Sequence, residues 1–302
     1  MNNHNSGVQN FKSGFIAIAG APNVGKSTLM NRLLGEKISI TSKKPQTTRN
    51  RILGILHRPS AQLIFMDTPG IHSAKSPLNK RIVDAAVTTF SEVDLILILA
   101  DAAFQKTPAE DPVMNSIKGH DKPVVLVLNK IDLIKKQDLL KAIDYYKDRF
   151  PFREIIPISA KTGEQNEVLL HAVEELLPEG PPFFPSESIT DVSERFLAAE
   201  LIREKAFRFT GQEIPYAVAV TVEEFSEVPP SGTVRIYATI HVERDSQKGM
   251  LIGKSGKKLK TIGEASRKDL ERLLGQKVFL KLFVRVQKNW SKDTRALRRF
   301  GY

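Results

Sequence analysis

The chain has 302 residues, more than one average domain needs, and its 41% hydrophobic and 26% charged content is that of a folded soluble protein. With no cysteine it excludes disulfides, thiolate zinc sites and a cysteine nucleophile, and it fits a reducing compartment. The net charge of +11 is unevenly spread: residues 181–247 hold 6 basic and 11 acidic groups, whereas 248–302 hold 16 basic and 4 acidic ones. That C-terminal surplus points to a polyanionic partner.

Residues 1–13 lack the apolar core of a secretory signal and read as a flexible tail. From 14 to 178, short apolar runs alternate with amphipathic stretches. The runs are 15–19, 52–56, 63–66, 95–100, 124–128 and 155–159, and helices are expected over 26–34, 78–90, 110–118, 138–149 and 164–177. Unbroken apolar strands alternating with helices predict an α/β domain with a mostly parallel sheet. The most apolar run, LILILA at 95–100, is far too short to span a bilayer, so a cytoplasmic location is expected.

The first strand runs into GAPNVGKST at 20–28, which opens the first helix, the context a phosphate-gripping loop requires. Gly20, Pro22, Asn23, Val24, Gly25, Lys26, Ser27 and Thr28 would surround the phosphates, aided by the positive end of the helix. Lys26 would reach the β- and γ-phosphates, and Ser27 would ligate Mg²⁺. In PQTTRNR (45–51), Thr48 is favoured over Thr47 for Mg²⁺ and the γ-phosphate. DTPG at 67–70 ends a buried strand, so Asp67 can hold Mg²⁺ through a water and the Gly70 N–H can meet the γ-phosphate. NKID at 129–132 selects the base: the Asp132 carboxylate accepts from N1–H and the N2 amino group of guanine, and adenine offers neither donor there. Asn129 would brace the loops and Lys130 would lie along the base. In SAK, Ser159, Ala160 and Lys161 complete the set, with the Ala160 N–H directed to guanine O6. Ile71 occupies the place where many GTPases orient water with glutamine, so slow intrinsic hydrolysis is expected, with Arg49 as a contributor.

Four prolines and a glycine within 177–188 mark a boundary, and 179–190 reads as a linker. Beyond it the order is helix 191–209, strands 215–223 and 233–243, helix 257–274 and strand 278–286, a smaller α+β domain over 191–302. Gly253-Lys254-Ser255-Gly256 precedes the second helix. Two glycines let a nucleic-acid backbone approach closely, and Ile252, Lys257, Lys258 and Lys260 flank the turn, a pattern suited to single-stranded RNA. Trp290 fits either packing or base stacking.

In order and spacing, GAPNVGKST, PQTTRNR, DTPGIH, NKID and SAK resemble the translation-factor class of P-loop GTPases, and in detail the bacterial Era-type family. The GKSG turn and its flanking elements resemble a type II KH domain. The resemblance implies hydrolysis of GTP to GDP and phosphate with Mg²⁺, involving Lys26, Asn23, Thr48 and Gly70. It further implies a K⁺ held by Asn23 where other GTPases place an arginine; otherwise Asn23 serves the loop backbone, since asparagine tolerates left-handed conformations. The expected partners are GTP and GDP, the 3′ end of 16S ribosomal RNA and the 30S subunit during its maturation, with the protein acting as a monomer. Two other readings are an RNA-binding module with a merely structural nucleotide domain, and peripheral contact of the basic surface with anionic lipid at the inner membrane.

Overall fold

Six strands form the first sheet in the order β2-β3-β1-β4-β5-β6. They are β1 (Lys12–Gly20), β2 (Ile52–Arg58), β3 (Ala61–Asp67), β4 (Leu95–Asp101), β5 (Val124–Asn129) and β6 (Glu154–Ile158). Only β2 runs antiparallel to its neighbour; the rest are parallel. Residues 11–41, 51–71, 88–103, 111–210, 218–230 and 232–300 are described by this computed structural model. Ile16, Leu63, Phe65, Leu97, Val125 and Leu128 are wholly buried, as strands covered on both faces demand. The helices are α1 (Lys26–Leu34), α2 (Asp111–Ser116), α3 (Lys136–Lys147) and α4 (Asn166–Leu176). Most of the helix expected over 78–90 lies outside the described residues.

The carboxyl ends of β1, β3, β5 and β6 carry the phosphate loop, DTPG, NKID and SAK, so one sheet edge gathers all four.

Two boundaries differ from expectation. Lys12 and Ser13, assigned to the tail, already belong to β1 and pair with Ala61 and Gln62. The segment 179–190 is strapped to the sheet rather than free. Buried Gln62 accepts from the Phe183 and Phe184 N–H groups at 2.7 and 3.0 Å and donates to the Phe184 carbonyl at 2.7 Å. The Ile55 N–H donates to the Ile189 carbonyl at 3.0 Å, covering the free edge of β2. Its prolines broke the periodic pattern, but the backbone groups they left were satisfied by the neighbouring strands.

The second domain contains α5 (Glu194–Phe209), β7 (Ala219–Val228), β8 (Thr233–Val242), α6 (Asp245–Ile252), α7 (Lys257–Leu274), β9 (Val278–Val286) and α8 (Thr294–Arg299). β7 and β8 are antiparallel, while β8 and β9 are parallel. The helices α6 and α8 were not expected: α6 carries Gly249 in a mostly polar stretch, and α8 has six residues, too few to show a period. Trp290 is 0% exposed and meets Phe300 edge-on at 5.2 Å, so it packs rather than stacks on a base. No helix among the described residues is long and apolar enough to cross a membrane.

Candidate nucleotide site and nucleic-acid groove

β1 ends at Gly20, and the loop that follows turns into α1 through Asn23 at φ +66° and Gly25 at φ +107°. A Cβ on Gly25 would collide with the Asn129 side chain, so only glycine lets the loop approach NKID. Asn23 is exposed, and its left-handed backbone is the conformation that asparagine tolerates better than most residues.

Lys26 is 7% exposed, and its Nζ donates to the Gly20 and Ala21 carbonyls at 3.1 and 3.0 Å. Burial pushes its pKa down to about 8, against the opposing pull of Asp67. Ser27 Oγ donates to Asp67 Oδ2 at 2.7 Å, and Ser39 Oγ donates to the same oxygen at 2.5 Å. Ser27 and the wholly buried Asp67 therefore present hard oxygen donors side by side. That suits Mg²⁺, which takes few protein ligands and fills its octahedron with phosphate and water oxygens. Thr48, expected to complete the set, lies outside the described residues, as does Arg49. Gly70 sits against Pro22, close enough that a Cβ would meet Pro22 Cγ at 3.1 Å. Ile71 is 1% exposed and its N–H donates to the Gly20 carbonyl at 3.2 Å, so this side chain belongs to the core and orients no water.

Asn129 is the hub of the base side. Its Nδ2 donates to the Val24 carbonyl at 2.7 Å, and its Oδ1 accepts from the Lys130 and Ala160 N–H groups at 2.8 and 2.9 Å. The Ala160 N–H, expected to face guanine O6, is thus engaged by Asn129 and must share or exchange this bond to serve a base. Lys130, with φ +71°, pairs its Nζ with Asp101 Oδ2 at 2.6 Å. Asp132 is exposed, and its Oδ1 accepts from the buried Ser159 Oγ at 2.7 Å, which fixes the carboxylate beside the SAK loop. Lys161 is exposed on that loop.

Sequence reasoning missed the groups that join this site to the second domain. Lys37, just beyond α1, donates to Glu204 Oε1 and Asp269 Oδ2, both at 2.8 Å. Lys205 bonds the same two carboxylate oxygens at 3.0 and 2.5 Å, and the Thr41 N–H donates to Glu204 Oε2 at 3.2 Å. Burial works against the Lys37 charge, but hydrogen bonds to Asp269 and Glu204 outweigh it and raise its pKa. Burial likewise opposes the Asp269 charge, and its bonds to Lys205 and Lys37 prevail, holding its pKa below the usual carboxylate value. Beside these charges lies a cavity of about 400 Å³, lined by Thr28, Ala160 and Lys161 on one side and Leu201, Asp269 and Arg272 on the other. The one available signal was the run of charges in α5, where Glu204 and Lys205 follow Glu200 and Arg203 between apolar residues.

In the second domain, Gly253, Ser255 and Gly256 adopt φ +70°, +51° and +77° between α6 and α7. A Cβ on Gly253 would lie 2.7 Å from Lys258 Cβ, so the turn tolerates no larger residue there without displacement. Lys254, Lys257 and Lys260 flank the turn, Lys258 packs beneath it, and Ile252 ends α6 half-buried. A groove of about 350 Å³ runs from Gly256 past Leu259, Lys260 and Arg267 of α7 to Leu280 and Leu282 of β9.

Because Lys26 binds its proton more weakly when folded, the unfolded chain carries the extra proton between pH 8 and 10.5, and this group's contribution to stability rises with pH in that window. Denaturant unfolding of wild type and Lys26→Met tests this. From about pH 7.5 to about pH 9.5, wild type should gain about 2 kcal/mol relative to the variant; a constant difference would mean that burial does not perturb this amine.

The sequence matches a family described as 50S ribosome-binding GTPase over residues 15–130 and the KH domain family over residues 213–291. It is 56% identical to GTPase Era of Geobacter metallireducens, the match covering 97% of this chain and 98% of that one. With GTPase Era of Lacticaseibacillus paracasei it shares 49% identity over 96% of both chains. Among solved structures, a variant of Aquifex aeolicus Era bound to GDP and AlF4⁻ superposes with a TM-score of 0.93 at 41% identity, covering 97% of this chain and 99% of that one. A structure of Era with MgGDPNP and nucleotides 1506–1542 of 16S ribosomal RNA matches with TM-score 0.93 at 42% identity and the same coverage. A phosphate-type loop, an NKID carboxylate beside the SAK loop and a GxxG turn joined in one fold, together with these near full-length matches, place the chain in the GTPase Era family.

Proposed function

We propose that this protein is a GTP-hydrolysing switch that holds the single-stranded 3′ end of 16S ribosomal RNA in its GxxG groove and assists assembly of the 30S subunit in the cytoplasm. The observation that carries the reading is the short path between the two sites. Asp67 binds Ser39, and two residues on, Thr41 donates to Glu204, while Lys37 bridges Glu204 and Asp269 of α7, the helix that opens at the GxxG turn. Residues 37–41 thus touch the phosphate side at one point and the RNA-binding domain at three.

In this reading Lys26 Nζ exchanges its two carbonyl acceptors for phosphate oxygens, and its lowered pKa reflects a cation held without water until a phosphate pairs it. Ser27 and, through a water, Asp67 hold Mg²⁺, which when bound offsets charge on the β- and γ-phosphates. The Gly70 N–H would meet the γ-phosphate, and Asp132 would select guanine. Because Ile71 is buried, no side chain at that position aligns the attacking water, and intrinsic turnover is slow. Asn23, exposed at the crest of the loop, is the residue to hold K⁺, whose charge would stand in for an arginine finger.

The RNA assignment is tested by binding of the full chain, with GTP analogue, to an RNA carrying the 3′-terminal 16S sequence and to a scrambled RNA of equal length. Tighter binding of the native sequence is expected, by about ten-fold or more; equal affinity would remove the 3′ end from the proposal. For the cation, GTP turnover is compared in K⁺, Na⁺ and Cs⁺ for wild type and Asn23→Ala. K⁺ should stimulate wild type alone, and identical rates in every salt would leave Asn23 a purely conformational role.

A further inference from the structure

The sheet β7-β8-β9 has two faces: α5 and α7 pack on one, and α8 packs on one end of the other. Along β9, Leu280, Leu282, Val284 and Val286 pack against the core under α5 and α7. The alternate residues Phe279, Lys281, Phe283 and Arg285 point the other way, and all four are exposed, the two rings by 52% and 46%. On β8 their register partners are Arg235 beside Phe279, Tyr237 beside Lys281 and Thr239 beside Phe283. The C-terminal segment covers one end of this face, where Trp290, Leu297 and Phe300 pack on Ala219 and Phe300 lies 4.6 Å from His241. The rest is open.

What remains open alternates rings and cations. Tyr237 and Phe279 stand 6.2 Å apart at 64°, and with Arg235 they line a cavity of about 330 Å³. Lys281 Nζ lies 5.8 Å from the Tyr237 ring and 5.3 Å from the Phe283 ring. Of the acidic groups near this face, Glu224 on β7 reaches Arg235 at 3.8 Å, and Glu243, just past β8, accepts from Ser291 of the C-terminal segment. Among the described residues Lys281 and Arg285 of β9 have no ion-pair partner, so the β9 half carries a positive strip. Flat rings with cations between them, on an open sheet, form the stacking platform by which single-stranded RNA is held.

This surface adjoins the groove. β9 is an edge strand, and Lys281 belongs both to the rim of the GxxG groove and to the ring-bearing face. We propose that the outer face of the β7-β8-β9 sheet is a second RNA-binding surface, on which unpaired nucleotides leaving the groove cross the β9 edge and stack on Phe283, Tyr237 and Phe279. The proposal rests on the reading of the groove as the RNA site. Lys281 and Arg285 meet the phosphates between the stacked bases, and the aromatic rings accept any base, so the extension adds affinity with little sequence preference.

The test compares an RNA of about six nucleotides, enough to fill a GxxG groove, with one of about fourteen extended at both ends. It uses the full-length wild type and the double variant Phe279→Ala/Phe283→Ala, whose exposed side chains are not needed for the core. Wild type should bind the longer RNA at least about ten-fold more tightly than the shorter; the double variant should lose that gain and keep its affinity for the shorter RNA. Phe279→Tyr/Phe283→Tyr should restore it. If wild type gains nothing from the extension, or the alanine variant keeps the gain, the sheet face is not an RNA site although the groove stands. If wild type binds neither RNA, the groove reading fails and this inference with it. If instead the alanine variant loses binding to phosphatidylglycerol vesicles while its RNA affinities are unchanged, the face serves lipid and the proposal is overturned.

Discussion

A carboxylate removed from water must be hydrogen-bonded, and the fully buried Asp67 at the end of β3 satisfies that demand by gathering the hydroxyls of Ser27 and Ser39. This single requirement fixes the start of α1 and the segment beyond its end to the same point on the sheet. Everything that distinguishes the nucleotide site from an ordinary α/β sheet edge is arranged around it. The phosphate loop curls so that Gly25 clears Asn129, and Asn129 then ties that loop to SAK through the Val24 carbonyl and the Ala160 N–H. The result is a rigid cradle whose hydrogen bonds connect the motifs to one another, so a nucleotide meets positioned groups rather than ordering them on arrival.

The same constraint reaches the second domain. Residues 37–41 are held by Asp67 through Ser39 and by Glu204 and Asp269 through Lys37 and Thr41. Two lysines and two carboxylates, with Lys205, Glu204 and Asp269 largely shielded from water, form an interaction that is costly to break one partner at a time. Such a cluster favours discrete arrangements over gradual sliding, which is what a switch between two domain positions needs. The strapped segment 179–190 adds to this, because its attachment to β2 and β3 confines the second domain's motion to rearrangement of an interface rather than swinging on a free tether.

Much of this was legible in the sequence, for identifiable reasons. Strands such as 95–100 and 124–128 announced themselves by unbroken hydrophobicity, and the phosphate loop, DTPG and NKID each followed such a strand. The GxxG turn was readable because it stands between an expected strand and an expected helix in the most basic stretch of the chain. What escaped lacked local periodicity or depended on distant partners. Helix α6 is short, polar and contains a glycine. The role of Gln62 in pinning 183–184 is invisible without the fold, as are the pairing of Lys130 with Asp101 and the use of the Ala160 N–H by Asn129. Trp290 illustrates the limit of composition: a lone aromatic in a basic stretch left packing and base stacking both open, and the fold buries it under α8, while the exposed rings of this domain include phenylalanines of β9 that the strand pattern had assigned simply to a sheet.

The central claim is that the state of the nucleotide site is felt in the RNA groove through residues 37–41. Its most direct test is the ratio of RNA affinities with GTP analogue and with GDP, compared between wild type and Lys37→Ala, a residue that bridges Glu204 and Asp269 and is assigned to neither ligand. The account predicts a ratio well removed from one in wild type and moved toward one in the variant. The same ratio in both proteins, or a ratio of one in wild type, would contradict it.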